Sequence, residues 1–199
     1  MTIREYRPED FDKVLAVMCD AFKADRLYEY FIEDPVQRQK FLNTFMEFRL
    51  KFGIKKGTVF VTDDVEGAII LIKPGQSMSV ADLIRYGGMK AMLSCSNAQR
   101  KRIMAFNTFA DAQAAQHMKQ PYWHISPLCV SSQKQGQGYG SALLDHGLHY
   151  IASGPYSCYL ETQDPQNIPF YQTHGFRTLS DVPVPDSDLS NHSMVYTAK

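Results

Sequence analysis

Three glycines stand at every second position in one short stretch of this chain, Gly136, Gly138 and Gly140. Glycine loses more conformational freedom on folding than any other residue, so this spacing needs a structural reason. The residues before the stretch, PLCV, favour a strand, and the residues after it, SALL, begin an apolar helical pattern. A helix N-terminus that follows a glycine turn leaves several backbone N–H groups without a partner. The stretch therefore predicts either a plain turn or an anion-binding loop.

The composition limits the class of protein. The chain has 199 residues, 44% of them hydrophobic and 21% charged, which suits one folded domain better than a disordered chain. Basic and acidic residues both number 21, so the net charge is zero and a nucleic-acid partner is not expected. The N-terminal MTIREYRPED has no apolar signal segment, and no stretch approaches the ~20 apolar residues of a membrane span. We expect a cytoplasmic protein without membrane contact, as a monomer or homodimer.

The four cysteines predict buried, free thiols. Cys19, Cys95, Cys129 and Cys158 are widely spaced, and each falls within a predicted helix or strand. No two of them have the close spacing of a metal knuckle. We therefore expect a reducing compartment and no metal site.

Hydrophobic periodicity predicts both strands and helices in the N-terminal part of the chain. Thr2–Arg7 alternates as a strand, and amphipathic helices follow it. Gly57–Asp63 and Gly67–Lys73 are typical of the two strands of a hairpin. Ser79–Leu93 and Asn97–Lys119 favour helices, although two adjacent glycines weaken the first of these.

The C-terminal part alternates strand and helix. Tyr122–Val130 is typical of a strand, and Pro127 within it predicts a bulge or a sheet edge. A helix follows the glycines, then a strand at Tyr156–Thr162, a short helix at Ile168–His174 and two closing strands. The first two of these strands and the helix between them form one right-handed crossover unit. The whole pattern predicts an α/β fold, a mixed central β-sheet of about six to seven strands with helices on both faces.

Known phosphate-binding loops compete for the glycine stretch. The Walker loop requires Gly-Lys-Ser/Thr, which is absent. The dinucleotide fingerprint G-x-G-x-x-G/A would place Ser141 in its third glycine slot and use Glu161 as the ribose-binding acid. That match keeps a dinucleotide-dependent oxidoreductase open as an alternative. A third pattern, Gln/Arg-x-x-Gly-x-Gly/Ala, is matched by Gln135–Gly140.

The segment Trp123–Phe176 resembles the GCN5-related N-acetyltransferases (GNAT). Gln135–Gly140 matches the loop motif of that family, and the pattern Asn167…Phe170-Tyr171…Gly175-Phe176 matches its second motif. The run YLETQDPQNIPFYQTHGF and the later DVPVP are similar to small-molecule acetyltransferases of the puromycin N-acetyltransferase kind. The resemblance implies one GNAT domain over residues 1–199. Its acceptor-side half would span 1–120 and its acetyl-CoA-binding half 121–199.

The resemblance also implies acetyl-CoA as co-substrate and assigns its contacts. Residues Gln135–Ser141 would hold the diphosphate, Cys129 and Val130 would pair with the pantetheine amides, and Asn167 would contact the pantetheine arm. Asn167 is also typical of a helix cap. The complete set of implied cofactor contacts is Cys129, Val130, Gln135, Gly136, Gln137, Gly138, Tyr139, Gly140, Ser141, Asn167 and Tyr171.

The expected reaction is direct transfer of an acetyl group to a primary amine of a small molecule in a ternary complex. Tyr171 is the expected general acid, since a phenol titrating near ~10 is still protonated when a thiol titrating near ~8.5 leaves. The attacking amine needs a base, for which Glu161, His124 or a chain of waters are candidates. A module that senses acyl-CoA without catalysis is the main alternative. Tyr28, Tyr30 and Phe31 form either an aromatic wall for the acceptor or part of the core.

Overall fold

The computed structural model describes residues 1–197, so the last two positions of the predicted domain, 198 and 199, lie outside the described residues. The described residues form seven β-strands: β1 (Ile3–Glu5), β2 (Gly57–Thr62), β3 (Gly67–Ile72), β4 (Trp123–Val130), β5 (Cys158–Thr162), β6 (Arg177–Pro183) and β7 (Ser190–Tyr196). They also form eight α-helices: α1 (Phe11–Phe22), α2 (Arg26–Phe31), α3 (Pro35–Lys56), α4 (Val80–Arg85), α5 (Gly88–Leu93), α6 (Asn97–His117), α7 (Tyr139–Ile151) and α8 (Asn167–Thr173).

The seven strands join in one mixed sheet, in the order β1-β2-β3-β4-β5-β7-β6. Neighbouring strands are antiparallel except β4 and β5, which run parallel and are connected through α7. The predicted mixed sheet and the hairpin of β2 and β3 are therefore confirmed. A dinucleotide-binding fold requires a mostly parallel sheet. With one parallel pair, this topology contradicts the oxidoreductase alternative.

Strand alternation sends apolar side chains into two separate cores. On β3, Ile70 and Ile72 pack with residues of α1, α2 and α3, whereas Ile69 and Leu71 pack with residues of α7. All four side chains are buried. We call the two sides of the sheet the α3 face and the α7 face. Helices cover both faces, as the sequence predicts.

β4 and β5 separate soon after they begin. The pairs that join them are Trp123–Cys158 and His124–Tyr159, at the start of each strand. Beyond these pairs, β4 stays hydrogen-bonded to β3 as far as Val130, while β5 pairs along its length with β7. Each strand is thus held to its outer neighbour, and a gap opens between them. We call this opening the β4–β5 gap.

A register shift in β4 lies beside the gap. Ile125 and Leu128 pair with β3 residues that are only two positions apart, so Ser126 and Pro127 form the irregular segment. This confirms the bulge that the proline predicts.

The helix predicted over Ser79–Leu93 is wrong as a single element. α4 ends at Arg85 and α5 begins at Gly88. The residue between the two helices, Gly87, has a φ of 90°. That left-handed conformation cannot continue an α-helix, and glycine adopts it without a steric penalty.

The aromatic residues of α2 divide between the core and the surface. Tyr28 and Phe31 are 6% and 3% exposed, and both lie in the core of the α3 face. Tyr30 lies at the edge of that core, and its hydroxyl donates to the carbonyl oxygen of Pro185 at 3.4 Å. Tyr28 and Phe31 are therefore part of the core and do not form an aromatic wall for the acceptor. Their rings fill the space between α2, α3 and α6.

Candidate active site

The glycine stretch forms the loop between β4 and α7. Gly136 and Gly138 have φ values of 72° and 84°, in the left-handed region that favours glycine. An added Cβ at either position would meet nothing within 4 Å, so backbone conformation rather than crowding requires glycine there. Gly138 caps α7 without a side-chain hydrogen bond, which leaves the first amides of the helix without an intrahelical partner. The loop and helix dipole together fit a diphosphate.

Two glutamine side chains brace this loop against backbone carbonyls. Gln135 Nε2 donates to the carbonyl oxygen of Val130 at 3.2 Å, and Gln137 Nε2 donates to that of Gln133 at 2.9 Å. Both side chains therefore bind the loop itself, and the backbone N–H groups remain as the donors that can face an anion. Tyr139, Gly140 and Ser141 form the first turn of α7, where these free amides lie.

Cys129 and Val130 end β4 beside the β4–β5 gap, and both are buried. They pair with Ala68 and Gly67 of β3, so their other backbone edge is the one turned towards the gap. The Cys129 thiol donates to the carbonyl oxygen of Ala68 at 3.6 Å. Burial raises the pKa of this thiol to about 12. Cys129 is therefore a poor nucleophile, and its backbone is the part that a pantetheine arm can use.

Asn167 begins α8 and does not cap it. The capping position belongs to Gln166, which makes no side-chain capping bond. Asn167 Nδ2 instead donates to Thr162 Oγ1 at 3.1 Å, which ties α8 to the end of β5. The capping prediction is wrong because the side chain turns back to the strand. Asn167 is exposed close to the end of β5, beside the β4–β5 gap.

Tyr171 lies on α8 and belongs to the α7 face. Its ring packs against Phe170 and Phe176, with centroid distances of 5.0 and 5.6 Å. Burial raises the pKa of the Tyr171 phenol above its usual value, and the nearby Cys158 thiol adds to the rise. Cys158 lies in the same α7-face core as Tyr171, and its backbone pairs with Trp123 where the gap begins. The phenol stays protonated over the accessible pH range and can donate a hydrogen bond.

Glu161 lies on β5 and faces the α3 face of the sheet. Its Oε1 accepts hydrogen bonds from Tyr159 Oη at 2.7 Å and from Asn191 Nδ2 at 3.3 Å. Asn191 is held in turn by Gln163, whose Nε2 donates to Asn191 Oδ1 at 2.6 Å. Within residues 1–197, Oε2 accepts no hydrogen bond, and it is not among the fully buried unpartnered atoms. One oxygen thus fixes the carboxylate and the other is open.

The surroundings of Glu161 change its acidity. Burial raises the pKa of Glu161 to about 6, and the charge of Asp111 adds to the rise. The hydrogen bonds from Tyr159 and Asn191 act in the opposite direction, because they favour the ionised form. At neutral pH this carboxylate is mostly ionised and is a stronger base than an ordinary glutamate.

His124 lies on β4 opposite Tyr159, on the same face as Glu161. Its ring centroid is 5.7 Å from that of Tyr159. Burial lowers the pKa of His124 to about 4, and the positive charge of Arg49 lowers it further. A base with so low a pKa takes up protons poorly near neutral pH, so His124 is a weaker candidate than Glu161.

Several residues of this site are not singled out by sequence analysis. Asn191 and Ser193 of β7 reach Glu161 and Tyr159 only through strand pairing. Arg49 of α3 donates to Ser126 Oγ on β4, far away in the sequence. Strand alternation could have suggested Tyr159, which lies two residues before Glu161, but no local signal marks the others.

The region that carries this geometry matches a known family. Residues 92–178, which include α6, β4, the glycine loop, α7, β5 and α8, match the model of the acetyltransferase (GNAT) domain. Over these residues the chain is similar to the GNAT acetyltransferases. The chain is also 25% identical over 185 residues to an uncharacterized N-acetyltransferase of Schizosaccharomyces pombe, covering 88% of this chain and 74% of the relative.

Solved structures agree on the fold. A Corynebacterium glutamicum protein described as "histone acetyltransferase HPA2 and related acetyltransferase" superposes with a TM-score of 0.72 at 23% identity, over 100% of this chain and 96% of that one. Arylalkylamine N-acetyltransferase 2 from Aedes aegypti gives a TM-score of 0.64 at 12% identity, over 100% and 99%. Both likenesses support the GNAT fold. The predicted similarity to puromycin N-acetyltransferase stays a prediction.

The matched family supports acetyl transfer as the general activity, and its members use acetyl-CoA. The matched residues contain the glycine loop, Glu161, Asn167 and Tyr171, whereas Arg49 and Asn191 lie outside them.

Three further features concern the described residues of the chain. The four cysteines are free and buried, as predicted. Between residues 1 and 197, no helix combines the length and the apolar run needed to cross a bilayer. The same residues bring together no group of three or more His, Cys, Asp or Glu side chains that would hold a metal ion.

Proposed function

We propose that this chain transfers the acetyl group of acetyl-CoA to a primary amine of a small molecule, with both substrates bound at once. The observation that carries the proposal is the state of Glu161. Its carboxylate is fixed through Oε1 and open at Oε2, and its pKa is raised to about 6. An alkyl ammonium must lose a proton before it can attack a thioester, and Glu161 is the group that accepts this proton.

The residues around the β4–β5 gap fit acetyl-CoA. The free amides of Gln135–Ser141 would hold its diphosphate, since Gln135–Gly138 are exposed and Gly138 caps α7 without a side-chain hydrogen bond. The backbone edge of Cys129 and Val130 would pair with the pantetheine amides, and Asn167 would contact the same arm. When bound, acetyl-CoA supplies an acetyl group that is activated as a thioester.

Tyr171 is the proposed general acid and donates a hydrogen bond to the leaving sulfur. Tyr171 lies on the α7 face of the sheet, in the same core as Cys158, whereas Glu161 lies on the α3 face with Tyr159. The base and the acid are therefore separated by the sheet and do not neutralise each other. Because its pKa is raised, Tyr171 acts mainly as a hydrogen-bond donor that stabilises the developing thiolate.

The space on the α3 face suits a cationic acceptor. The charge of Asp111 acts on Glu161 and adds to the rise of its pKa, so this side of the sheet carries negative charge that favours a cation.

We further infer that the protein works in the cytoplasm, as a monomer or homodimer, without nucleic acid or membrane. The four free thiols support a reducing compartment. The zero net charge supports the absence of a nucleic-acid partner.

The test is a thiol-release assay with acetyl-CoA and a panel of primary amines, with products identified by mass spectrometry. Calorimetry measures acetyl-CoA binding in parallel. Binding together with amine-dependent thiol release supports the proposal. Binding without transfer to any amine would indicate the acyl-CoA-sensing alternative, and failure to bind acetyl-CoA at all would contradict both.

A further inference from the structure

Arg49 places a positive charge beside the β4–β5 gap. It lies on α3 and is partly buried, and its Nη2 donates to Ser126 Oγ in the bulge of β4. The guanidinium carbon lies 5.8 Å from the centroid of the Phe45 ring, which supports the group from one side. The two contacts hold the guanidinium on the α3 face.

This guanidinium has no counter-ion in residues 1–197. No aspartate or glutamate of that range lies within ion-pair distance of Arg49. Its hydrogen bond to Ser126 uses one donor, and its other N–H groups donate to no described residue. The fully buried unpartnered atoms are Gln113 Oε1 and His192 Nδ1, so the free donors of Arg49 retain access to an entering molecule.

A second arginine on the same helix shows what a structural arginine does in this fold. Arg38 is 8% exposed and donates to the carbonyl oxygens of Lys23, Ile32 and Glu33. It also forms a 3.2 Å ion pair with Glu29. Arg38 is therefore satisfied by the protein. Arg49 differs from Arg38 because its one partner is neutral. An unpaired charge in a partly buried place is costly, so a bound anionic ligand would stabilise Arg49.

Arg49 and Glu161 flank the same opening with opposite charges. Ser126, which holds Arg49, comes after the last pair of β4 with β5, His124–Tyr159, and Glu161 comes after the same pair on the other strand. The two charged groups thus lie on opposite sides of the β4–β5 gap. His124 between them adds no second cation, because its imidazole is neutral. A molecule that carries an ammonium and an anion matches this arrangement.

From this arrangement we infer that the acceptor is an amino carboxylate, whose carboxylate binds Arg49 while its amine faces Glu161. The inference rests on the proposed function and names its substrate class. A guanidinium matches a carboxylate because its planar N–H groups can donate two parallel hydrogen bonds. Arg49 is a specificity-determining residue in this inference and takes no part in the proton transfers.

The experiment compares matched acceptors by steady-state kinetics with acetyl-CoA as donor. Glycine, β-alanine, 4-aminobutyrate and the common L-amino acids are each paired with the corresponding carboxamide, which keeps the amine and removes the charge. We expect the wild-type protein to prefer the best carboxylate over its carboxamide by about 10- to 100-fold in kcat/KM, the range for a lost charge-assisted hydrogen bond.

Substitutions at Arg49 test whether this residue causes the preference for carboxylate over carboxamide acceptors. Arg49→Gln should lose about the same 10- to 100-fold on the carboxylates, through the acceptor KM, with less than about a 3-fold change on the carboxamides. Arg49→Lys should lose less, because it keeps the charge without the planar geometry. Lys51→Gln, which changes an exposed cation on the same helix, is the control and should leave both acceptors unaffected.

The possible failures are distinguishable. Equal rates for carboxylates and carboxamides in the wild-type protein would overturn the inference and leave the proposed function intact, and this comparison needs no variant that must fold. An increase in the KM for acetyl-CoA in Arg49→Gln, with unchanged acceptor preference, would reassign Arg49 to the cofactor and also overturn it. Absence of transfer to any amine of either series would contradict the proposed function itself.

Discussion

The Tyr159 hydroxyl donates a 2.7 Å hydrogen bond to Oε1 of Glu161, which lies two residues further along β5. Ser193 of β7 lies 3.0 Å from the same hydroxyl, and both Tyr159 and Ser193 are fully buried. The bond is therefore held firmly in the sheet. Since a hydrogen bond to an ionised carboxylate favours ionisation, this pair helps to set the acidity of the proposed base.

Tyr159→Phe tests that relationship. Loss of the hydrogen bond should raise the pKa of Glu161 above about 6, because burial then acts with less opposition. The acidic limb of the pH profile of kcat/KM should move upward by roughly one pH unit, the equivalent of one hydrogen bond. Tyr156→Phe, at an exposed tyrosine before β5, is the control. If the acidic limb of the pH profile does not move in Tyr159→Phe, the hydrogen bond from Tyr159 does not affect the pKa of Glu161.

Glu161→Gln removes the proposed base. The amide cannot accept a proton, so kcat should fall by about 10²- to 10⁴-fold, with acetyl-CoA affinity unchanged. In the wild-type protein, activity should decrease as pH falls through about 6, where Glu161 becomes protonated. Stopped assays across pH and calorimetry measure both effects. Glu47→Gln on the surface of α3 is the matched control, and equal turnover in the two variants would remove Glu161 as the base.

Glu161→Gln lowers the activity but should increase the stability of the folded protein at high pH. The pKa of Glu161 is raised from 4.5 to about 6 in the folded protein, so the stability linked to its protonated form is present below about 4.5 and is lost as pH rises through about 6. Glu161→Gln should therefore raise the thermal midpoint at pH 8 relative to wild type, and the difference should shrink at low pH. A lower midpoint at pH 8 would show that the carboxylate is needed for folding as well.

Tyr171→Phe removes the proposed acid and keeps the ring packing. We expect kcat to fall by about 10- to 100-fold, towards the lower end of acid–base effects, because Tyr171 acts mainly as a hydrogen-bond donor. The dissociation constant for acetyl-CoA should change little, since Phe fills the same space. Tyr150→Phe on α7 is the control. Turnover equal to wild type in Tyr171→Phe would exclude Tyr171 as the acid.

Two glycine substitutions separate loop folding from cofactor binding. Gly138→Ala puts a side chain at a φ of 84°, which should cost roughly 1–2 kcal/mol of unfolding free energy and also weaken acetyl-CoA binding. Gly140 has no positive φ, and an added Cβ would lie 3.5 Å from Phe170, in ordinary contact. Gly140→Ala should therefore change stability by less than about 1 kcal/mol.

Gly140→Ala should nevertheless weaken acetyl-CoA binding, because a methyl group would obstruct the amides of the first turn of α7. Urea denaturation and calorimetry measure the two effects. Unchanged affinity in both glycine variants would contradict the assignment of the diphosphate to this loop.

Asp10 makes a separate prediction about stability. Arg4 donates two hydrogen bonds to its carboxylate, at 2.7 and 2.9 Å, and the Arg7 amide donates a third at 2.8 Å. The bond from Arg4 chiefly lowers the pKa of Asp10 to about 2. The stabilisation that comes from ionised Asp10 is fully present above pH 3.8 and is lost as the pH falls through about 2.

Asp10→Asn should therefore destabilise the protein by about 1–3 kcal/mol at pH 7 and by much less near pH 2. Urea denaturation at both values measures this, with Asp12→Asn, an exposed neighbour, as the control. A loss that is the same at both values would mean that the carboxylate charge is not the stabilising feature.

Element order and the glycine turn ahead of α7 could be read from the sequence, because both depend on neighbours along the chain. The alternation of Gly57–Asp63 and Gly67–Lys73 predicted their strands, and the glycines from Gly136 predicted a turn ahead of a helix. The prediction failed at Gly87, where a single left-handed residue ended a helix whose two halves both have helical patterns. It failed again at Asn167, whose side chain found Thr162 rather than its own helix.

The sequence by itself determined a mixed α/β chain with a glycine turn ahead of a helix, since periodicity and glycine placement are local properties. The roles predicted for Glu161 and Tyr171 came from the resemblance to a family, and they stay predictions. Tertiary structure alone decided that β4 and β5 diverge, that Asn191 fixes Glu161, and that Arg49 lies across from it with no counter-ion among the described residues. These features arise from strand pairing and helix packing between distant segments. The acidity of Glu161 belongs with them, because burial and charge around a carboxylate exist only after the chain has folded.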